Sequence, residues 1–310
     1  MTTLLYTHAS CVEHDPGTYH PECPDRLRSV NKALGADAFK ALVRREAPEA
    51  QVEDIERVHV QSYVETLLEN VPKSGKVHLD PDTAMSPKSG EAALRASGAV
   101  CSAIDAVVAG EARNAFCAVR PPGHHAEASR AMGFCLFNSV AVGAQYARAK
   151  HGMARVAVVD FDVHHGNGTQ HSFENDKNLF YASSHQYPAY PGTGLTDETG
   201  VADNVCNVPM RPGAGSAEFR KGYENAILPS LRAFKPELLI VSAGFDAHAD
   251  DPLAQIMLKT EDFGWVTERL LEVAEDCCGG RVVSSLEGGY DLDALGASVA
   301  LHVKTLMRAA

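Results

Sequence analysis

At 310 residues, 45% hydrophobic and 22% charged, the chain has the makings of an ordinary globular protein, with room for one large α/β domain or two small ones. Its net charge of -12 supplies no basic stripe for phosphates and argues against a nucleic-acid partner. No apolar run approaches the roughly 20 residues that span a bilayer, so no membrane association is expected.

The N-terminal M-T-T-L-L-Y-T-H lacks the basic start and apolar core of a signal peptide, and the eight cysteines are scattered without C-x-x-C spacing. Both features lead us to expect a cytoplasmic protein with reduced thiols. In chain order, residues 4–8 form a short strand candidate. Y-H-P-E-C-P-D-R (19–26) is a Pro-punctuated loop entering a helix over about 25–34. Residues 63–68 have helical apolar spacing, 73–88 read as a loop, and 89–108 form a long Ala- and Gly-rich helix suited to close packing on a sheet. The strand at 115–119 ends in R-P-P-G-H-H-A, a stiff turn carrying two adjacent histidines. G-F-C-L-F-N (133–138) leads into a helix to about 150.

The run V-A-V-V-D-F-D-V-H-H-G-N-G-T (156–169) is the centre of the pattern. Its first four residues have the composition of a strand buried on both faces. On an extended chain Asp160, Asp162 and His164 would share one side, at the carboxyl end where open α/β sheets place their chemistry. An Asp-x-His pair can give one metal ion two ligands, with zinc suited and nickel, cobalt or iron(II) as competitors. Taken alone, the same residues fit a turn whose histidines cap the next helix. A short helix over 167–173, strands at 179–184 and 205–208, a Gly- and Pro-rich loop at 187–199 and a helix over 218–234 follow. The strand at 238–243 ends in G-F-D-A-H, placing Asp246 at its end. A helix then runs from Thr260, with a partial capping box, to about Cys278. The last strand, 281–286, runs into E-G-G-Y-D and a C-terminal helix to Arg308.

Strand and helix alternate without a linker, which predicts an α/β fold: one doubly wound, mainly parallel sheet flanked by helices, with residues 1–310 forming a single domain. Four strand ends carry polar groups: His124 and His125, Asp160 to His164, Asp246, and Tyr290. Neighbouring strand ends in one sheet would bring them together.

With these residues in view the sequence resembles the zinc-dependent histone deacetylase and acetylpolyamine amidohydrolase family, of the arginase–deacetylase fold. The resemblance rests on H-P-E-C-P-D-R (20–26), R-P-P-G-H-H (120–125), G-F-C-L-F-N (133–138), D-F-D-V-H-H-G-N-G-T (160–169), P-G-T-G (191–194), G-F-D-A-H (244–248) and E-G-G-Y (287–290), in the family's order over nearly the whole chain. The opening motif and Asn167 resemble the class II branch and its bacterial relatives. The resemblance implies Asp162, His164 and Asp246 as ligands of one catalytic Zn2+, with positions left open for a water and an acyl oxygen. It implies His125 as base and then acid, His124 held charged by Asp160, and Tyr290 as donor to the oxyanion. Asn167 stands where the class I branch has an Asp beside the second histidine, and a neutral amide would orient that ring without raising its basicity as a carboxylate does.

Further residues carry over as substrate-binding positions: Phe134 and Tyr190 as tunnel walls, Gly133, Gly288, Leu253, and Asp82 as a grip on the substrate backbone, with Asp80 as its rival. Arg26 resembles a residue behind the acetate pocket. A structural K+ at Asp160, Asp162, His164, Ser183 and Ser184 is also implied, mostly through backbone carbonyls. Leu253 occupies the place of the polyamine branch's Glu gatekeeper, which favours acetyl-lysine in a peptide or protein over an acetylated small amine. The competing readings are an acetylpolyamine amidohydrolase and a catalytically silent acyl-lysine binding module. Arginase-like dimanganese chemistry lacks the additional bridging carboxylates it needs. A homo-oligomeric assembly is compatible with the sequence.

Overall fold

Apolar, β-branched runs that are buried along their whole length become the central strands of one sheet. In a computed structural model, which describes residues 2–309, the strands are β1 (Thr3–Thr7), β2 (Val43–Glu46), β3 (Val77–Asp80), β4 (Thr83–Met85), β5 (Asn114–Cys117), β6 (Val156–Asp160), β7 (Leu179–Gln186), β8 (Val205–Met210), β9 (Leu238–Ala243) and β10 (Val282–Leu286). Eight of them form a sheet in the order β2-β1-β5-β10-β9-β6-β7-β8, and every neighbouring pair is parallel. Helices cover both faces, so β6, β7, β9 and β10 have no solvent side and no polar alternation.

The chain runs from β5 to β6 across a gap of two strands, continues outward to β8, then returns to insert β9 and β10 into that gap. The four strand ends that carry polar groups therefore belong to contiguous strands, β5-β10-β9-β6, at the middle of the sheet. The helix Ser89–Val108 packs under this region on small residues. A Cβ at Gly98 would lie 2.0 Å from the Pro48 carbonyl oxygen, so the crossing segment at 48–50 fits only because no side chain is there.

Several elements depart from the expectations. Residues 73–88 contain the antiparallel ribbon β3–β4 rather than a plain loop: Asp80 pairs with Thr83, and Pro81 and Asp82 make its tip. β2, V-R-R-E, is a mostly exposed edge strand with three charged residues and no apolar periodicity to reveal it. The helix expected over 218–234 is interrupted by a π turn at Tyr223–Ile227 between Ser216–Gly222 and Leu228–Phe234. The helix Thr260–Cys278 begins one residue earlier in capping terms. Lys259 is the N-cap, and the Asp262 carboxylate accepts its backbone N–H. No helix among the described residues is long and apolar enough to cross a membrane. The eight cysteines are free thiols.

Candidate active site

β6 ends at Asp160, earlier than the extended alternation would have it. Asp160 Oδ1 accepts the N–H of Asp162, and Asp162 Oδ1 accepts the N–H of His164, so two successive aspartate turns bend the chain over the sheet edge. That bend, rather than a shared strand face, brings Asp162 and His164 together. Asp160 points elsewhere, accepting from His124 Nδ1 at 2.9 Å and from the Tyr181 hydroxyl at 3.1 Å.

Asp246, from the loop after β9, completes a triad with Asp162 and His164 whose ligand atoms lie within 4.8 Å of one another. Backbone amides hold both carboxylates, and Asp162 Oδ1 already accepts the His164 N–H. Gly288 donates to Asp162 Oδ2 at 2.8 Å, and Val163 donates to Asp246 Oδ1 at 2.8 Å. The other oxygens, Asp162 Oδ1 and Asp246 Oδ2, each lie 3.1 Å from His164 Nδ1. Two buried carboxylates repel unless positive charge sits between them. Burial, and next the Asp162 charge, push Asp246 up to about 7. Burial alone would lower His164, yet its bonds to both carboxylates lift it to about 10, which favours a proton on the ring in the metal-free site. A divalent cation with one imidazole and two carboxylate ligands would relieve the same repulsion, and the donor set fits one. The residues present therefore suit a metal site.

Gly288 does not line the cavity, contrary to its expected place in the substrate set; it sits beneath the triad. A Cβ there would fall 2.2 Å from Asp246 Oδ2 and 2.5 Å from Asp162 Oδ2. The Cβ-free position is what lets its amide approach the ligands.

After β5, the R-P-P-G-H-H turn is held from below by the buried Glu287, whose Oε2 accepts the N–H of Gly123 at 2.6 Å and of His124 at 3.3 Å. The two histidine rings lie 4.0 Å apart in nearly complete burial, and their surroundings shift them in opposite directions. For His124 the burial penalty is outweighed by Asp160 and then Asp162, which raise it to about 10. His125 is held well below its ordinary value, first by burial and then by the charges of His124 and His164. His125 Nδ1 is 2.8 Å from Asn167 Oδ1, while Asn167 Nδ2 donates to Glu127 Oε1 and to the His125 carbonyl. This fixes the amide's orientation: Oδ1 must accept, His125 Nδ1 carries the hydrogen, and Nε2 is left as a bare acceptor.

A cavity of about 190 Å³ is lined by Asp82, His125, Gly133, Phe134, His164, Tyr190, Leu253 and Tyr290. Every residue expected to bind substrate is among them except Gly288. The Phe134 and Tyr290 rings lie 5.9 Å apart, and Tyr190 meets His125 at 5.1 Å. Tyr190 and Leu253, each 40% exposed, form the rim. Of the rival aspartates, Asp82 reaches the cavity, whereas Asp80 accepts from Arg130 at 2.8 Å. Asp82 also has a structural task. It accepts the Gly133 N–H, and Thr83 Oγ1 accepts the Phe134 N–H, holding Phe134 at φ 68°, a left-handed conformation costly for a bulky residue.

Behind Tyr290 lies a buried cluster the sequence does not announce. Glu22 accepts from Arg120 through both carboxylate oxygens, from Arg26 Nη1 at 2.9 Å, and lies 3.3 Å from His14 Nε2. Arg26 also donates to the Gly289 and Glu287 carbonyls, and its guanidinium lies 4.8 Å from the Tyr290 ring centre. Burial keeps the Tyr290 hydroxyl well above its ordinary pKa, despite Arg26, so it remains a donor. Asp160 and Ser183 are register partners on β6 and β7. The Ser183 hydroxyl is bonded to His185 and the Ser184 hydroxyl to Tyr223.

Residues 20–306 match the histone deacetylase domain, and the chain belongs to the histone deacetylase family, a family of hydrolytic deacetylases. The parallel sheet flanked by helices is the fold of that class. It is 40% identical to the histone deacetylase-like amidohydrolase of Pseudomonas aeruginosa over 277 residues, covering 87% of this chain and 72% of that one. It is 35% identical to the chloroplastic histone deacetylase 14 of Arabidopsis thaliana, covering 98% of this chain and 76% of the relative. An uncharacterised Synechocystis protein is 40% identical, with 99% of this chain and all of the relative covered. The crystal structure of the HDA15 HD domain superposes with a TM-score of 0.92 at 34% identity, covering 99% of this chain and 88% of that chain.

Proposed function

We propose that the chain, acting as a single catalytic domain over residues 1–310, removes an acetyl group from acetyl-lysine in a peptide or protein, releasing acetate and the free amine. The observation that carries this reading is that His164 of the Asp162–His164–Asp246 triad, His125 and Tyr290 line one narrow cavity. Zinc is the proposed ion; when bound it supplies Lewis acidity toward an acyl oxygen and acidifies a water.

The chain's own residues would divide the remaining work. Phe134 and Tyr190 flank the aliphatic stem and exclude water from it. His125, with Nε2 unprotonated, accepts a proton from the attacking water and returns it to the leaving amine. His124, kept positive by Asp160, contributes electrostatically rather than as a base. Tyr290 donates to the developing oxyanion, the step at which preorganised donors matter most. Leu253 at the rim offers an amine no counter-charge, which supports acyl-lysine over an acetylated polyamine. A structural potassium ion on the carbonyls of residues 160–164 and 183–184 remains a separate proposal.

Turnover of an acetyl-lysine peptide beside N-acetylputrescine, on zinc-loaded and chelated protein, tests the reading. We expect the peptide to be preferred, chelation to abolish turnover, and Tyr290→Phe to lower kcat by about two orders of magnitude or more. Faster turnover of N-acetylputrescine would move the substrate to the polyamines, and a zero rate with zinc restored would leave a binding module.

A further inference from the structure

The carboxylate missing beside His125 is present one hydrogen bond further out. Asn167 Oδ1 accepts from His125 Nδ1, and Asn167 Nδ2 donates to Glu127 Oε1 in a contact shorter than ordinary. Glu127 is in turn gripped by the half-exposed His171, whose Nδ1 lies 2.8 and 2.9 Å from its two oxygens. Glu127 and His171 line a surface depression on the far side of Asn167 from the catalytic cavity. We infer that Glu127 is a positioning residue for the reaction, acting on His125 through the Asn167 amide.

Two effects follow from this geometry, and the inference rests on His125 being the base. A carboxylate can only accept, so Glu127, together with the His125 carbonyl, holds the Asn167 NH2 on its own side and the amide oxygen toward His125, which fixes the productive tautomer. A negative charge on the NH2 side also polarises the amide and makes Oδ1 a stronger acceptor, as cooperative hydrogen-bond chains do. No proton crosses the amide. Burial works against the Glu127 charge, but His171 and Asn167 outweigh it and keep the carboxyl below its usual range, so the charge is present at neutral pH. The direct aspartate of the other branch would thus be replaced by a relayed one whose far end faces solvent.

Glu127→Gln tests this, because glutamine's oxygen still accepts from Asn167 while the charge is lost. We expect kcat to fall about tenfold with KM unchanged, the scale on which outer partners of a catalytic group act. The double variant Asn167→Asp with Glu127→Gln, which puts a carboxylate directly on His125 Nδ1, should recover most of the loss. A second readout is independent of turnover: in metal-free protein labelled with 15N-histidine, the His125 Nδ1 proton resonance should move upfield in Glu127→Gln. An unchanged kcat, a resonance that stays in place, or a double variant no better than the single one would each overturn the inference. His125→Ala, run in parallel, separates the two layers: retained turnover there would sink the base assignment while the resonance still reports on the hydrogen-bond chain.

Discussion

Single residues at this site are constrained by what approaches them more than by their own chemistry. Gly288 shows this most clearly, since an alanine methyl would fall inside the van der Waals radius of both ligand carboxylates. Gly288→Ala should therefore weaken zinc binding by at least about tenfold, measured by titration against a chelator of known affinity, and should also lower the melting temperature of chelated protein, because the buried carboxylates have little room to give way. That Asp162, His164 and Asp246 would come together was legible because each follows an apolar run with a group that has no reason to be buried unless partnered. How Asp162 meets His164 was not legible. The extended alternation predicted a shared face with Asp160, whereas the Asp160 and Asp162 side chains capture backbone amides and turn the chain, a local competition that periodicity cannot register. Glu127 was equally silent: nothing in H-H-A-E-A-S-R marks its glutamate as other than a solvated charge.

At the level of elements, strands with both faces covered announced themselves, and elements held by few apolar contacts did not. β6 and β9 were read within a residue or less of their limits because their runs are almost wholly apolar and buried until the polar loops begin. β2 is charged and lies at the sheet edge, and the β3–β4 ribbon is short and broken by Pro81, so neither leaves a periodic trace. The opening H-P-E-C-P-D-R motif was recognisable, but its purpose emerges only from residues about a hundred and more than 260 positions away. Its Glu22 neutralises Arg120 and Arg26, which carry the β5 turn and the E-G-G-Y loop. Glu22→Ala would leave two buried guanidiniums without their carboxylate. We expect a loss of about 3–5 kcal/mol in denaturant-unfolding stability, and Glu22→Gln should recover only part of it. An unchanged midpoint would mean that the cluster relaxes into solvent on losing its anion.

For the molecule as a whole, burial of neutral histidines sets an acid limit. His59, His165, His185 and His302 are held down to about 4, 3, 4 and 3, in each case first by burial. Their folded values lie below the unfolded value of about 6.5, so the unfolded chain binds more protons in the intervening range. The stability they contribute is complete above about pH 6.5 and is lost as pH falls toward 4 and below. Thermal melts of chelated protein should show the melting temperature dropping steadily from pH 6.5 to 4, with each histidine contributing up to about 1.4 kcal/mol per pH unit. A flat profile across that window would mean that the four rings are already charged in the fold. The parallel sheet and the convergence of its central strand ends followed from alternation of strand and helix alone. Strand order did not, because returning β9 and β10 into the gap between β5 and β6 is a choice that local composition leaves open.

The rim position of Leu253 has an evolutionary consequence. The triad rests on buried strand ends, where replacements are punished by unfolding, but Leu253 stands half in solvent on the loop after β9. Exposed sites of this kind tolerate most replacements at a cost within roughly 0.5 kcal/mol. Under the proposed role of Leu253 at the mouth, a lineage can therefore change that side chain for substrate choice with little effect on folding.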